Sequence, residues 1–482
     1  MKTLFAEALL VTATALSASA APLAFDKSAG TPGELALPRG GTVRYTAYEG
    51  LRYAENVEDE TCQTMNLYVP DGAGPDAPVF LRTYVGGYMA AKAAAPQAGD
   101  ATGRALAEGF VVAIPGSRGR NSVRDGAWTG RAPNGLLDLK AAVRYLRRFA
   151  RDIPADAERI VTDGTSAGGA MSALLGATGN APEYAPLLER MGAANERDDV
   201  FAAVCFCPIT DLEHADMAYE WLYGGTASRR GATDGIRAVS AELAAAFPAY
   251  VESLGLGLDA EGCLDAVKRE IIRSAQIAKD AGADIPQDIG FAFSEEAVGG
   301  APPIDGGKRG GGGGDGGAMP AFVPEKRPGE YITDLDMAAY LDYVVSTQPL
   351  KTAPAFDTLG VAGQSASGEN DEFGDATGTS ANFTAYSAAK NGGAVTPEVA
   401  ANVHLLNPMD FIGADGSDVA PHWYIRHGAR DRDTAFTVPF LLARKLERAG
   451  KDVDFLLPWN RPHSGDYALD ELFSWLKEKI AR

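Results

Sequence analysis

The chain has 482 residues, 46% of them hydrophobic and 22% charged, with 64 acidic against 44 basic side chains and a formal net charge of −20. That length excludes a single small core and points to a large domain carrying an inserted second one. An acid excess on this scale excludes a phosphate-binding footprint, so neither nucleic acid nor an anionic membrane surface is an expected partner.

The chain opens with one lysine, a short apolar run and Ala18-Ser19-Ala20 ahead of Ala21-Pro22. This is similar to a secretory signal with a small-residue cleavage site, although Glu7 interrupts its apolar stretch. Residues 1–20 are therefore expected to be a signal, and the protein to be secreted or held in the cell envelope. No later run approaches the ~20 apolar residues of a membrane span.

From about residue 43, β-rich runs alternate with amphipathic ones. Strands are expected at Met65–Val69, Val79–Val85, Phe110–Ile114, Arg159–Thr162, Phe201–Phe206, His422–Arg426 and Val453–Leu457. Helices are expected at Leu137–Phe149, Val438–Ala449 and Ala468–Ile480, the second closed by Gly450. Strands that are apolar throughout, with helices between them, imply a mostly parallel α/β sheet covered on both faces. The rhythm is lost between about 211 and 404, where helices are expected at Ala238–Leu254, Glu261–Ala281 and Asp334–Val345. The expected organisation is a sheet domain at 21–210 and 405–482, with a mainly helical lid inserted at 211–404. Within the lid, the Gly-rich run at 299–320 is read as a flexible loop. A phosphate-cradling loop is excluded because no strand precedes the run and no Lys-Ser/Thr helix follows it.

Four cysteines (Cys62, Cys205, Cys207, Cys263) lack metal-ligand spacing and are read as buried core. No His and carboxylate cluster at helical spacing suggests a metal, and no cofactor is expected.

The chemistry is concentrated in Arg159–Ala177. Ile160-Val161-Thr162 runs into Gly164-Thr165-Ser166-Ala167-Gly168, and a small-residue helix pattern follows. This is the strand, sharp turn and helix of a nucleophile elbow, which would present the Ser166 hydroxyl at its tip. Glycines flank the serine because the strained turn leaves no room for side chains.

A serine hydroxyl needs a base to take its proton and a carboxylate to orient that base. α/β-Hydrolases supply the three in the order Ser, Asp or Glu, His. Of the five histidines, His463 follows the strand at Val453–Leu457 and precedes the last helix, where the base belongs. His214, His404, His422 and His427 are read as structural hydrogen-bonding residues. Asp431 or Asp433, after the strand at His422–Arg426, would orient His463, and spacing alone leaves the choice open. The oxyanion hole needs two backbone N–H groups. Ala167 supplies one, and the Tyr84-Val85-Gly86-Gly87-Tyr88 turn is the candidate for the other.

These stretches resemble the bacterial tannases (tannin acyl hydrolases), lidded α/β-hydrolases that split galloyl esters. The resemblance rests on Thr-Tyr-Val-Gly-Gly-Tyr, Ser-Arg-Gly-Arg, Gly-Thr-Ser-Ala-Gly-Gly-Ala and Glu-His-Ala-Asp-Met-Ala-Tyr-Glu-Trp. It continues through Pro-Ala-Phe-Asp, Glu-Asn-Asp-Glu-Phe-Gly-Asp, Ile-Arg-His-Gly-Ala-Arg-Asp-Arg-Asp-Thr and Pro-His-Ser-Gly-Asp-Tyr. It implies Ser166 as nucleophile, His463 as base, Asp431 as the orienting acid, and oxyanion amides at Gly87 and Ala167. It further implies that Asp433, Lys351 and Glu369 hydrogen-bond the gallate hydroxyls. The spacing from Lys351 to Glu369 is longer than the family's, which leaves Glu372 as an alternative to Glu369. The Gly-rich run and the segment before Ala21 are additions to the family pattern.

The expected function is therefore a serine esterase acting on galloyl esters of tannins and simple gallates through a galloyl-enzyme. Its only expected partner is that small-molecule or polyphenolic ester. A feruloyl or general carboxylesterase is the alternative within enzymes, and a catalytically inactive hydrolase-like binding domain is the alternative outside them.

Overall fold

The computed structural model describes residues 19–294 and 331–481. The Gly-rich run at 299–320, and the expected signal apart from its last two residues, lie outside the described residues.

Nine strands form one sheet: β1 (Thr31–Ala36), β2 (Thr42–Leu51), β3 (Met65–Pro70), β4 (Pro78–Arg82), β5 (Val111–Pro115), β6 (Asp156–Thr165), β7 (Ala202–Phe206), β8 (His422–Arg426) and β9 (Asp452–Leu456). Their spatial order is β9-β8-β7-β6-β4-β5-β3-β2-β1. The six strands from β9 to β5 are mutually parallel, and β3, β2 and β1 continue the sheet antiparallel. The expected mostly parallel α/β sheet is the observed one.

Alternate residues of the parallel strands feed two cores. Phe80, Val112, Val161, Val204 and Tyr424 pack with Leu472, Phe473 and Leu476 of the C-terminal helix (Leu469–Ile480). Leu81, Ala113, Ile160, Ala203 and Ile425 face the opposite way, against the helix at Asn134–Arg148 and the one that follows Ser166. Burial on both faces is why these strands read as continuous apolar runs rather than as alternating ones.

Between Phe206 and His422 the sheet is interrupted by a mainly helical insertion, including Leu212–Tyr223, Asp234–Ser253, Ala260–Asp280 and Met337–Thr347. Two expectations differ in detail. Asp334–Val345 divides into a strand, Tyr331–Leu335, paired antiparallel with Phe291–Ser294, and a helix that starts at Met337. The division falls at Asp336, whose side chain accepts from the amides of Ala338 and Ala339 and so caps the helix there. β1 and β2 were not expected at all. Pro32 and Gly33 obscure the pattern of β1, and the Tyr45 ring packs over Gly33, 2.5 Å from where a Cβ would lie.

Candidate active site

In parallel strands all carboxyl ends lie on one edge, and loops from four of them build the site. Thr165, Phe206, Arg426 and Leu456 stand side by side in register at the ends of β6, β7, β8 and β9. Just beyond that row lie Ser166, the Asp431 loop and the His463 loop. The Gly86-Gly87 loop follows β4, which β6 and β7 separate from β8, the strand ahead of the acid loop.

Ser166 sits between β6 and helix α1 (Ala167–Ala177) with φ 62° and ψ −124°. A non-glycine residue in that region is strained and persists only where its surroundings fix it. The surroundings are visible. A Cβ at Gly164 would meet the Gly168 carbonyl oxygen at 2.2 Å, and one at Gly168 would meet that of Val85 at 2.8 Å. The Ser166 amide donates to Phe206 O at 2.9 Å, and its side chain makes no capping bond to the helix it precedes. The hydroxyl is therefore not consumed by local structure.

His463 Nδ1 lies 2.7 Å from Asp431 Oδ2 and 3.6 Å from Asp433 Oδ2. The three side chains each bring one polar atom within 4.8 Å of the others. Asp431 is fully buried, and its second oxygen accepts the Asp433 amide at 2.8 Å. Of the two aspartates, Asp431 is the one that bonds the imidazole, while Asp433 is partly exposed beside it. Burial is the largest influence on His463 and works against its charge, but the Asp431 hydrogen bond together with the charges of Asp431 and Asp433 raises the histidine's pKa, with Lys351 opposing. Burial also raises the Asp431 pKa, yet His427, His463 and the Asp433 amide pull it well below the usual carboxylate range. Because burial keeps His427 toward its neutral form, we assign most of that pull to the His463 bond and the amide.

His427 departs from expectation. It is buried, but neither ring nitrogen makes a hydrogen bond, and its Nδ1 stands 3.6 Å from Asp431 Oδ2. His214, His404 and His422 do pair, with Asp211, Asp410 and Asp452 respectively. All four cysteines are buried and free.

The insertion closes over the acid loop. Tyr340 donates to Ala429 O, and Tyr223 donates to Asp431 O at 3.4 Å. The segment carrying Lys351 and Glu369 is shaped by two buried aspartates. Asp216 accepts the amides of Ala355, Phe356 and Asp357, and Asp357 accepts those of Phe383 and Thr384. Lys351 is half-buried with its Nζ 4.0 Å from the Phe356 ring centroid. Glu369 is half-buried as well, whereas Glu372 is 1% exposed, and burial pushes its carboxyl up to about 8. Gly87 is exposed with φ 55°, and its carbonyl accepts Arg120 Nε at 2.7 Å. Ala167 is buried at the start of α1.

A mostly parallel sheet, a serine on a strained strand-to-helix turn and a histidine paired with a buried aspartate at the same edge define an α/β-hydrolase, and the chain is a carboxylic ester hydrolase. The BD-FAE family model matches residues 65–234. Over nearly its whole length the chain superposes on the tannase of Fusobacterium nucleatum, with a TM-score of 0.80 and 33% identity, covering 95% of this chain and 99% of that one. The tannin acyl hydrolase of Lactobacillus plantarum matches with a TM-score of 0.80 and 34% identity, at 95% and 98% coverage. A tannin acyl hydrolase in complex with ethyl gallate matches with a TM-score of 0.79 and 34% identity, at 94% and 98% coverage. No curated protein matches by sequence. The chain belongs to the bacterial tannase family.

Proposed function

We propose that this enzyme hydrolyses galloyl esters of tannins and simple gallates with Ser166 as nucleophile, His463 as general base and Asp431 as the acid that orients it. The observation that carries this reading is the 2.7 Å contact from His463 to the buried Asp431, on loops that flank the strained Ser166 turn. Ser166 passes its proton to His463 and attacks the galloyl carbonyl. Asp431 fixes the imidazole tautomer and stabilises the imidazolium. The oxyanion rests on the Gly87 and Ala167 amides. The alcohol leaves with the proton from His463, and water then cleaves the galloyl-enzyme by the same route.

The substrate class rests on the matched tannin acyl hydrolases in complex with ethyl gallate and with 3,4-dihydroxybenzoate. Lys351, Glu369 and Asp433 clamp the ring hydroxyls: phenols donate to carboxylates and accept from an ammonium. Two observations support the trio. Lys351 is near enough to His463 to oppose its protonation. Glu369 has the solvent access that Glu372 lacks, so it is the glutamate we assign to the ring. The insertion serves as the lid, and the N-terminal segment exports the protein. Initial rates on methyl gallate, methyl protocatechuate and methyl ferulate test the reading. Gallate is expected to be fastest by a wide margin, and a ferulate preference would assign a feruloyl esterase instead.

A further inference from the structure

The His463 loop, from Leu457 to Ala468, contains neither helix nor strand. Backbone bonds from Ala429 N to Pro458 O and from Arg430 N to Arg461 O, each 3.0 Å, hold its first part. Three further contacts hold the part that follows His463. Cys207 Sγ lies 3.2 Å from Ser464 O. Gly465 packs so closely on Thr165 that a Cβ would lie 1.9 Å from its Oγ1. Asp466 takes a two-pronged bond from Arg82, with Nη1 to Oδ1 at 2.9 Å and Nη2 to Oδ2 at 2.8 Å.

Arg82 is unusual. It is a charged residue ending β4 in the sheet centre, 6% exposed, and its register partner on β6 is Asp163, which is fully buried and also accepts from it. Burial pushes the Asp163 carboxyl up to about 7, so it offsets the guanidinium charge only in part. Asp466, partly exposed, is a second carboxylate on the same guanidinium. What it adds is geometry, because a guanidinium fork fixes the plane of the carboxylate it grips. Asp163 is three residues before Ser166, and Asp466 is three residues after His463. Arg82 thus joins the strand beneath the nucleophile to the loop bearing the base.

We propose that Arg82 and Asp466 are positioning residues, a clamp that sets the His463 imidazole over the Ser166 turn. The proposal rests on the triad reading above.

The test compares D466N, R82K, their double variant and H463A in the full-length protein, using methyl gallate. Asp466 is partly exposed and leaves Arg82 its Asp163 partner, so D466N is expected to fold. Its kcat should fall about 10- to 100-fold, as for a slightly misplaced base, with KM within about twofold of wild type. R82K keeps the charge without the fork and should show a similar fall. The double variant should lose no more than the worse single one, the mark of residues acting as one unit. The clamp is overturned if H463A is inactive while D466N retains wild-type kcat. It is equally overturned if D466N raises KM and lowers the melting temperature with kcat unchanged. Gallate turnover by H463A sinks the triad reading itself, and the clamp with it.

Discussion

The Asp433 amide donates to Asp431 Oδ1 at 2.8 Å, so the aspartate proposed to bind the ring also locks the carboxylate that holds His463. Backbone of one aspartate and side chain of the other are thereby committed to a single arrangement, with Asp431 Oδ2 left for the imidazole. Ring recognition and proton transfer are built on adjacent atoms, and substitutions should separate them.

D431N keeps the shape of the acid but replaces an acceptor with a group that also donates, favouring the wrong His463 tautomer. We expect kcat on methyl gallate to fall by about 10³- to 10⁴-fold with KM little changed. Steady-state kinetics on the purified variant check this, and a loss confined to KM would contradict it.

D433A removes the side chain proposed to bind the ring and leaves the amide that supports Asp431. Its cost on methyl gallate should be about 10- to 100-fold, the worth of a hydrogen bond to a charged group. On a phenyl acetate, which has no ring hydroxyls on its acyl side, the loss should stay below about threefold. Equal losses on both esters would remove the assigned role.

The pH profile has a definite sign. His463 must be neutral to accept the Ser166 proton, and its pKa is raised by the bond to Asp431. Activity should therefore fall as pH drops through a value above the ordinary histidine pKa, and D431N should move that acid limb to lower pH. Profiles of kcat/KM for the two proteins would show the shift. An unmoved limb would mean that another group controls it.

G164A places a methyl group 2.2 Å from the Gly168 carbonyl oxygen, a backbone atom that cannot step aside. Forcing it in should cost about 1–3 kcal/mol of stability and depress kcat by distorting the turn. Denaturant melts and kinetics on the same preparation check both effects.

The core of this architecture is legible in the sequence because its physics is local. Buried parallel strands such as Val111–Pro115 and Ala202–Phe206 are apolar throughout. The elbow carries its own glycines, and the strand–loop–helix setting of His463 singles it out among five histidines. What local pattern could not reveal is long-range. The choice between Asp431 and Asp433 depends on a 2.7 Å contact across 32 residues. The pairing of Arg82 with Asp466 spans 384. A signal for the latter was nonetheless present, since a lone arginine at the end of an apolar central strand demands a buried partner. β1 escaped because its Pro and Gly suit an exposed edge, and His427 because nothing in its sequence context shows that its ring nitrogens go unpaired.

The most direct test of the central claim is labelling by an active-site-directed fluorophosphonate, with the modified peptide identified by mass spectrometry and methyl gallate turnover followed in parallel. One phosphonyl group on Ser166, stoichiometric with lost activity, together with no labelling and no turnover in a folded S166A protein, is the predicted result. Modification at any other residue, or gallate hydrolysis surviving in S166A, would contradict it.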